Sequence, residues 1–168
     1  VSYGGKDADG NFLPDDSNLC ISCHQGREST TSMNAGLRGK DLDTVDAKIR
    51  FKNIHYFAAG ATLFGADAQG AYMYEGKEYV GLNLHASEEG KANKCQDCHD
   101  AHALEPKVES CETCHDTTDP TTIRETDVDY DGDGDVTEGI SGEVATLAEA
   151  LYAQMQSYSE AHGGAITY

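Results

Sequence analysis

The clearest hydrophobic pattern lies near the C-terminal end of the chain, where apolar side chains recur three or four positions apart. This stripe consists of Val144, Leu147, Leu151, Met155 and Tyr158. The spacing places its members on one face of an α-helix, so it predicts a helix over about 143–160. Ser141 is the expected N-cap, and Gly163 with Gly164 is the expected end. Packing of the stripe against the rest of the chain is a simpler interpretation than a partner-binding surface.

Weaker patterns predict short elements before that helix. Leu42, Val45 and Ile49 share one helical face, which predicts helical pieces within residues 41–64. Two short apolar runs within residues 71–80 flank a Glu-Gly pair, and glycine can adopt the positive φ of a two-residue turn. These residues are therefore expected to form a small β-hairpin. The remaining chain is rich in glycine, aspartate and serine, so a mostly irregular fold with short α-helices is expected.

Composition narrows the possible partners and points to a thin core. Only 38% of the residues are hydrophobic, and tryptophan is absent, so a core made of side chains alone would be small for 168 residues. The 30 acidic residues outnumber the 12 lysines and arginines. This excess disfavours nucleic acid and anionic membrane surfaces as partners. No apolar run approaches membrane-spanning length.

All six cysteines fall in three copies of Cys-x-x-Cys-His, the attachment signature of c-type haem. Each thiol adds to a haem vinyl group and the adjacent histidine ligates the iron. A redox dithiol, a disulfide or half a zinc site does not require that histidine, and paired zinc half-sites would leave one of three unmatched. The predicted attachment residues are Cys20, Cys23, His24, Cys95, Cys98, His99, Cys111, Cys114 and His115.

Three haems would organise the fold, and residues 1–168 are expected to form a single triheme domain. Large apolar rings would supply packing surface that the side chains lack. Because c-type haem is attached outside the cytoplasm and no signal peptide is visible at Val1, we expect that an export signal was removed. The second and third motifs start 16 residues apart, so their haems must be close. The first motif starts 75 residues before the second and must be brought near by the fold.

The remaining axial ligands can be assigned by subtraction. Three haems need six ligands, and four histidines lie outside the motifs. His102 follows His99 closely and is expected to reach a neighbouring haem, most simply the third. His55 precedes small residues that would let a helix approach a flat ring. The favoured distal ligands are His55, His85 and His102. The alternatives are His162, Met33, Met73 and Met155.

The arginines and an acidic loop are further candidate sites. Arg27, Arg38, Arg50 and Arg124 are each either a propionate partner or a solvated surface cation.

Residues 127–143 contain the D-x-D-x-D-G start of a calcium loop, although its twelfth position is Ile140 rather than glutamate. A disordered acidic loop is the alternative to a structural calcium ion. The expected ligands are Asp129, Asp131, Asp133, the Asp135 carbonyl, and Glu138 or Glu143.

Four stretches resemble multihaem c-type cytochromes of extracellular electron-transfer pathways in metal-reducing bacteria. They are Cys20–Arg27, Asn53–Phe57, Cys98–His102 and Asp129–Gly134. The resemblance implies closely stacked haems with two histidine ligands each, which carry electrons, and in some members an extracellular filament. Larger members continue past the point where this chain stops, so processing or truncation is expected.

Electron transfer is therefore the expected function, and the chain is not expected to be an enzyme. We expect hopping through three haems in a head-to-tail extracellular or cell-surface polymer, with redox proteins or extracellular acceptors as partners. A distal ligand, His55 or His85, could cross the subunit interface. A soluble periplasmic shuttle is the alternative. A multihaem reductase would need a haem with an open position, which the supply of histidines disfavours.

Overall fold

The computed structural model describes residues 1–11, 13–41, 43, 45–55, 58–85 and 92–164. Within these ranges the secondary structure is helical, with no strand, and much of the chain is irregular. The α-helices are α1 (Ser17–His24), α2 (Thr30–Leu37), α3 (Ala59–Phe64), α4 (Cys95–Cys98), α5 (Glu112–His115) and α6 (Ile140–Ala161). Three 3₁₀ turns span Gly65–Asp67, Val108–Ser110 and Pro120–Thr122. The expected mostly irregular fold with short helices is confirmed. The chain divides into two compact units, Val1–Asp97 and Cys98–Tyr168.

The first unit has a small apolar centre where α1 and α3 meet. Ile21, Ala61 and Phe64 are the buried apolar side chains in the part of the chain that the structure describes. Phe64 also makes an edge-to-face contact with Tyr3, with ring centroids 5.5 Å apart. So few buried apolar groups agree with the thin core expected from composition.

The expected hairpin over 71–80 is wrong, although a turn does form at its centre. The Lys77 amide donates to the Tyr74 carbonyl at 3.2 Å, and Gly76 adopts a φ of 77°. The backbones of the two arms do not pair with each other; the Tyr79 hydroxyl accepts from the Tyr74 amide at 3.0 Å, and other polar groups of the arms bond to other elements. The Met73 amide donates to the Thr30 hydroxyl at 2.8 Å, whereas the Val80 carbonyl accepts from the Ala66 amide at 2.8 Å. Helix α2 and the turn after α3 thus compete successfully for the polar groups of the arms.

The helical prediction for residues 41–64 holds only at its end. Val45 and Ile49 lie outside any helix and are exposed, whereas Leu42 is outside the described residues. His55 also lies outside a helix and has a positive φ of 61°. The small residues after His55 do form α3.

In the second unit, α6 confirms the predicted C-terminal helix but begins at a different cap. Gly139 is the N-cap, and a Cβ there would lie 1.9 Å from the Thr121 carbonyl oxygen. The predicted N-cap, Ser141, lies inside the helix and donates its hydroxyl to that carbonyl at 2.9 Å. Helix α6 ends at Ala161, and Gly163 follows with a φ of 75°.

The predicted packing of the α6 stripe is wrong in the described structure. Its five members are 44–63% exposed, so the stripe faces outward along its whole length. Glu143, in the first turn of α6, is instead the buried side chain of this helix, because a buried arginine partner offsets its desolvation. None of the helices described here combines the length and apolar character that crossing a membrane would require.

Candidate functional site

Each Cys-x-x-Cys-His motif lies on a short helix or at its edge. Helix α1 contains the first motif, α4 begins and ends with the two cysteines of the second, and Cys111 is the N-cap of α5. A separation of three residues places two cysteines on neighbouring positions of a helical turn. In the first motif, Ile21 is only 3% exposed and anchors α1, while Cys20 and Cys23 are exposed. The six cysteines form no disulfides and all are exposed or half-buried, so each is accessible for covalent attachment.

The buried hydroxyl of Ser17 joins the first motif to the start of the second. Ser17 is fully buried; its Oγ accepts from the Cys95 amide at 3.2 Å and donates to Gln96 Oε1 at 2.7 Å. An ion pair at 2.9 Å between Lys94 and Asp15 reinforces this contact. Residues that are 75 or more apart in the sequence are therefore adjacent at the N-terminal ends of α1 and α4.

The same contact brings two attachment thiols together. Burial raises the pKa of the Cys95 thiol, and the neighbouring Cys20 thiol raises it further, against the lowering effect of the Ser17 hydroxyl. Two groups attached to the sulfur atoms of Cys20 and Cys95 would therefore be bound at neighbouring positions.

The far end of the first motif is held by the segment that contains His55. The Arg27 amide donates to the Ile54 carbonyl at 2.9 Å. Gly26 lies against the same residue, because a Cβ at Gly26 would be 2.8 Å from Ile54 Cγ1. His55, the next residue, is exposed and its amide donates to the Asn53 side chain at 2.8 Å. The backbone next to His55 is thus hydrogen-bonded to the residues that directly follow the first motif.

Gly60 explains why small residues occur in α3. A Cβ at Gly60 would lie 3.0 Å from the His24 carbonyl oxygen, so the glycine permits close packing of α3 on the end of α1. The small residue therefore permits a close contact with backbone, and the expected approach of these small residues to a flat ring stays a prediction. His85 lies beside α3, where an open hollow of about 440 Å³ is lined by Ala59, Thr62, Leu63, Asn83 and His85.

The second and third motifs are linked by a tight loop that carries His102. The Lys107 amide donates to the Cys98 carbonyl at 2.7 Å, and His99 pairs with Pro106 in an isolated antiparallel bridge. Inside the loop, Asp100 Oδ1 accepts from the amides of His102 and Ala103, each at 2.8 Å. These amides lower the pKa of Asp100, which keeps its carboxylate charged and the loop closed.

The histidine of the third motif has a carboxylate partner. His115 Nδ1 lies 2.8 Å from Glu125 Oε1. The histidine side chain is 15% exposed and the glutamate 75%. A hydrogen bond at Nδ1 fixes the orientation of an imidazole and leaves Nε2 as the atom for iron. By contrast, His162 Nδ1 donates to the Tyr158 carbonyl at 2.8 Å and its ring stacks on Tyr158, which gives this histidine a structural role at the end of α6.

The acidic loop is folded by its own carboxylates. Asp129 accepts from the amides of Gly132 and Gly134, at 2.6 and 2.9 Å, and Asp133 accepts from the Asp135 amide at 2.7 Å. Carboxylate oxygens lie within 4.8 Å of one another in two groups. These groups are Asp129, Asp131 and Glu143, and Asp131, Asp133 and Glu138.

Arg124 neutralises one of the two glutamates. Its guanidinium lies 2.6 Å from Glu143 Oε1, and both side chains are buried. It also donates to the carbonyls of Thr126, Val128 and Glu138. The propionate-pairing role considered for Arg124 is therefore wrong, because its donors serve the loop. Burial raises the pKa of Glu143, but Arg124 and the amides of Asp131 and Tyr130 outweigh it, so this pKa lies below its ordinary value.

Glu138 has the opposite electrostatic environment. Burial raises its pKa, and the charges of Asp131 and Asp133 raise it further. Asp131 Oδ2 and Glu138 Oε1 are buried atoms that lack a hydrogen-bond partner in the described part of the chain. Oxygen atoms that repel one another and lack donors match the preference of Ca²⁺ for a cluster of carboxylates. The donor set therefore fits a hard divalent cation.

Two residues with specific contacts at these sites, Ser17 and Glu125, were not expected from the sequence, and a third, Arg124, was given a different role. Ser17 and Glu125 have no motif of their own, and only the fold reveals their contacts. The role of Arg124 could have been suspected from its position before an acidic loop, since a cluster of carboxylates favours a nearby cation.

Comparison with known proteins gives a distant relationship. The chain is 33% identical over 146 residues to the C-type polyheme cytochrome OmcB of Geobacter sulfurreducens, in each of two strains. The match covers 82% of this chain and 16% of the relative, so the chain spans about a sixth of the length of those curated proteins. No family model and no solved structure matches the chain. The distant homology supports a multihaem c-type cytochrome.

Proposed function

We propose that this chain transfers electrons through three covalently bound c-type haems. The observation that carries the proposal is the use of all six cysteines in three motifs that lie on accessible helical turns. The distant homology to a polyheme cytochrome supports it. Each haem would supply a one-electron iron couple, held by two thioethers and the histidine of its motif. This role is that of an electron carrier rather than an enzyme.

The chain's own residues would set the positions of the haems. In the first unit, Ser17 and the Asp15–Lys94 pair hold the first attachment site beside Cys95. In the second unit, the Cys98 carbonyl and the Lys107 amide close the loop that leads from Cys98 to the third motif. Such fixed spacing is what a chain of closely placed redox centres requires. The proposal includes a single triheme domain over residues 1–168.

We assign His55, His85 and His102 as the distal ligands. His85 borders the hollow beside α3, and His102 lies in the loop just before the third motif. Replacing any one of the three with alanine should convert one iron to the high-spin form, as seen by electron paramagnetic resonance. His162→Ala should leave all three irons low-spin, because His162 is engaged by Tyr158. Three low-spin irons in every variant would contradict the assignment.

The proposal also includes one calcium ion in the acidic loop. Asp129, Asp131, Asp133, the Asp135 carbonyl and Glu138 would hold it, because Glu143 is already paired with Arg124. The ion would neutralise carboxylates that repel one another and supply the missing partners of Asp131 Oδ2 and Glu138 Oε1.

The proposal also includes assembly of the chain into a polymer, which depends on contacts between subunits. The resemblance to filament-forming cytochromes and the candidate ligands His55 and His85 support a head-to-tail extracellular or cell-surface polymer. In a stronger version, one of these histidines binds a haem of the next subunit. Light scattering of the haem-loaded protein tests this part, with growing mass expected at higher concentration. A monodisperse monomer with three six-coordinate irons at all dilutions would instead favour a periplasmic shuttle.

A further inference from the structure

We propose that Glu125 is a positioning residue that lowers the reduction potential of the third haem through His115. This inference rests on the proposed function, since it requires a haem on Cys111 and Cys114. The geometry that carries it is the 2.8 Å contact between Glu125 Oε1 and His115 Nδ1.

The contact has a defined chemical effect on an axial ligand. A carboxylate that accepts the Nδ1 proton in a hydrogen bond makes the imidazole a stronger electron donor at Nε2. A stronger donor stabilises ferric iron more than ferrous iron, so the potential of that haem falls. The negative charge of the carboxylate acts in the same direction.

Glu125 is held in place by its backbone neighbours although its side chain is largely exposed. Arg124 donates to the carbonyls of Thr126 and Val128, one and three positions after Glu125. On the other side, the Ile123 carbonyl accepts from the first amide of α6 at 3.1 Å. The acidic loop and α6 therefore fix the segment that presents Glu125 to His115, so the orientation of an axial ligand depends on structure outside the haem motif.

Glu112 provides a matched control within the same motif. It is an exposed glutamate of α5, and its neutralisation removes the same charge near the same haem. A general electrostatic effect would make Glu112→Gln and Glu125→Gln equivalent. A hydrogen-bond effect would instead make Glu125→Ala, which removes the acceptor of His115 Nδ1, shift the potential more than either glutamine variant.

The test is potentiometry of the haem-loaded protein, with nuclear magnetic resonance to follow each haem separately. Glu125→Ala should raise one of three potentials, changing the ferric-to-ferrous ratio at fixed potential by about three- to fivefold. Glu125→Gln should cause a smaller rise, because its amide oxygen can still accept from Nδ1, and Glu125→Asp should recover part of the loss. Glu112→Gln should shift that haem less than Glu125→Ala.

Two failures can be told apart. Intact mass without a haem on the third motif of the unmodified protein would overturn the proposed function at this site. Three attached haems with equal shifts in Glu125→Ala, Glu125→Gln and Glu112→Gln would overturn the role of Glu125 alone. If Glu125→Ala loses its haem, Glu125→Asp decides the question, because it keeps the charge but shortens the side chain. A raised potential in Glu125→Asp would support the hydrogen bond, and an unchanged one would overturn it.

Discussion

The first and third motifs are built by contacts of different range. Around the first motif, Ser17 and Asp15 bond to residues that lie more than 75 positions away, and Arg27 bonds to Ile54. Around the third, His115 bonds to Glu125 only ten positions away, and the preceding loop closes between Cys98 and Lys107. The first site thus depends on the fold of its whole unit, whereas the third is assembled from one continuous stretch.

This difference should govern how each site responds to damage. Loss of a single long-range contact should loosen the first motif together with the start of the second. Loss of a contact near the third should remain within the second unit. The following experiments use that contrast, from the largest expected effect to the smallest.

Glycine-to-alanine substitutions should destabilise the two units at their closest backbone approaches. Gly139→Ala places a Cβ 1.9 Å from a carbonyl oxygen and should cost about 3 kcal/mol or more. Gly60→Ala meets the His24 carbonyl oxygen at 3.0 Å and should cost about 1–2 kcal/mol. Denaturant unfolding of the haem-loaded protein measures both.

Gly36→Ala is the matched control for these substitutions. Gly36 lies within α2, and its nearest neighbour would be the end of the flexible Lys52 side chain, 3.8 Å away. Alanine should therefore stabilise the helix by about 0.5–1 kcal/mol. A loss of stability at Gly36 equal to that at Gly60 would contradict the account of α3 packing.

Calcium should stabilise the second unit through Glu138. At a calcium concentration one hundred times the dissociation constant, the gain should be about 2.7 kcal/mol. Without calcium, Glu138→Gln should raise the melting temperature, because it removes a carboxylate whose pKa is raised by burial and neighbouring charge. With calcium, the same variant should melt below the unmodified protein.

This reversal of sign distinguishes an ion site from a solvated acidic loop. Glu149→Gln, on the exposed part of α6, removes one charge from the same unit and should show no reversal. A melting temperature of the unmodified protein that is the same with calcium and with chelator would exclude the site.

Removal of the Ser17 hydroxyl should weaken the link between the first two motifs. Ser17→Ala leaves the Cys95 amide and Gln96 without their buried partner and should cost about 1–2 kcal/mol. Hydrogen exchange should increase at Cys95 and not at His115. The control, Ser22→Ala in the same helix, removes an exposed hydroxyl and should change stability by less than about 0.5 kcal/mol. Equal protection at Cys95 in both variants would contradict the link.

Acid should loosen the first motif through Asp15. The Lys94 ammonium lowers the pKa of Asp15 below its ordinary value of 3.8. Its contribution to stability is therefore full above about pH 4 and is lost as the pH falls through the lower folded-state pKa. Asp15→Asn should flatten the pH dependence of unfolding below pH 4, with a small effect because Lys94 is 57% exposed. An unchanged profile would show that the pair contributes nothing.

Local patterns in the sequence predicted most of what is local in the structure. The long helix, the turn at Gly76 and the acidic loop depend on residues close in sequence, and their residue types indicated them. The failures involve competition between distant groups. The arms of the expected hairpin bond to Thr30 and Ala66, and the α6 stripe is exposed because Glu143 and Arg124 form the buried contact of that helix.

The residues of the candidate site also divide into those that a sequence motif indicates and those whose contacts only the fold reveals. The attachment residues stay a prediction from the motif, which is recognisable in the sequence because covalent attachment requires a fixed spacing of the two thiols and the histidine. The link through Ser17 and the contact between Glu125 and His115 could not be predicted, because one serine or one glutamate among many has no distinguishing neighbour in the sequence. The small residues after His55 were expected to allow a close approach, and the contact that Gly60 makes is with the His24 carbonyl.

The intact mass of the matured protein under denaturing conditions tests the central claim most directly. The polypeptide has a mass of 18.0 kDa, and the account predicts that mass plus three haem groups that denaturant does not remove. Replacement of Cys111 and Cys114 with alanine should leave two haems attached. A matured protein that carries fewer than three haems, or six unmodified thiols, would contradict the account.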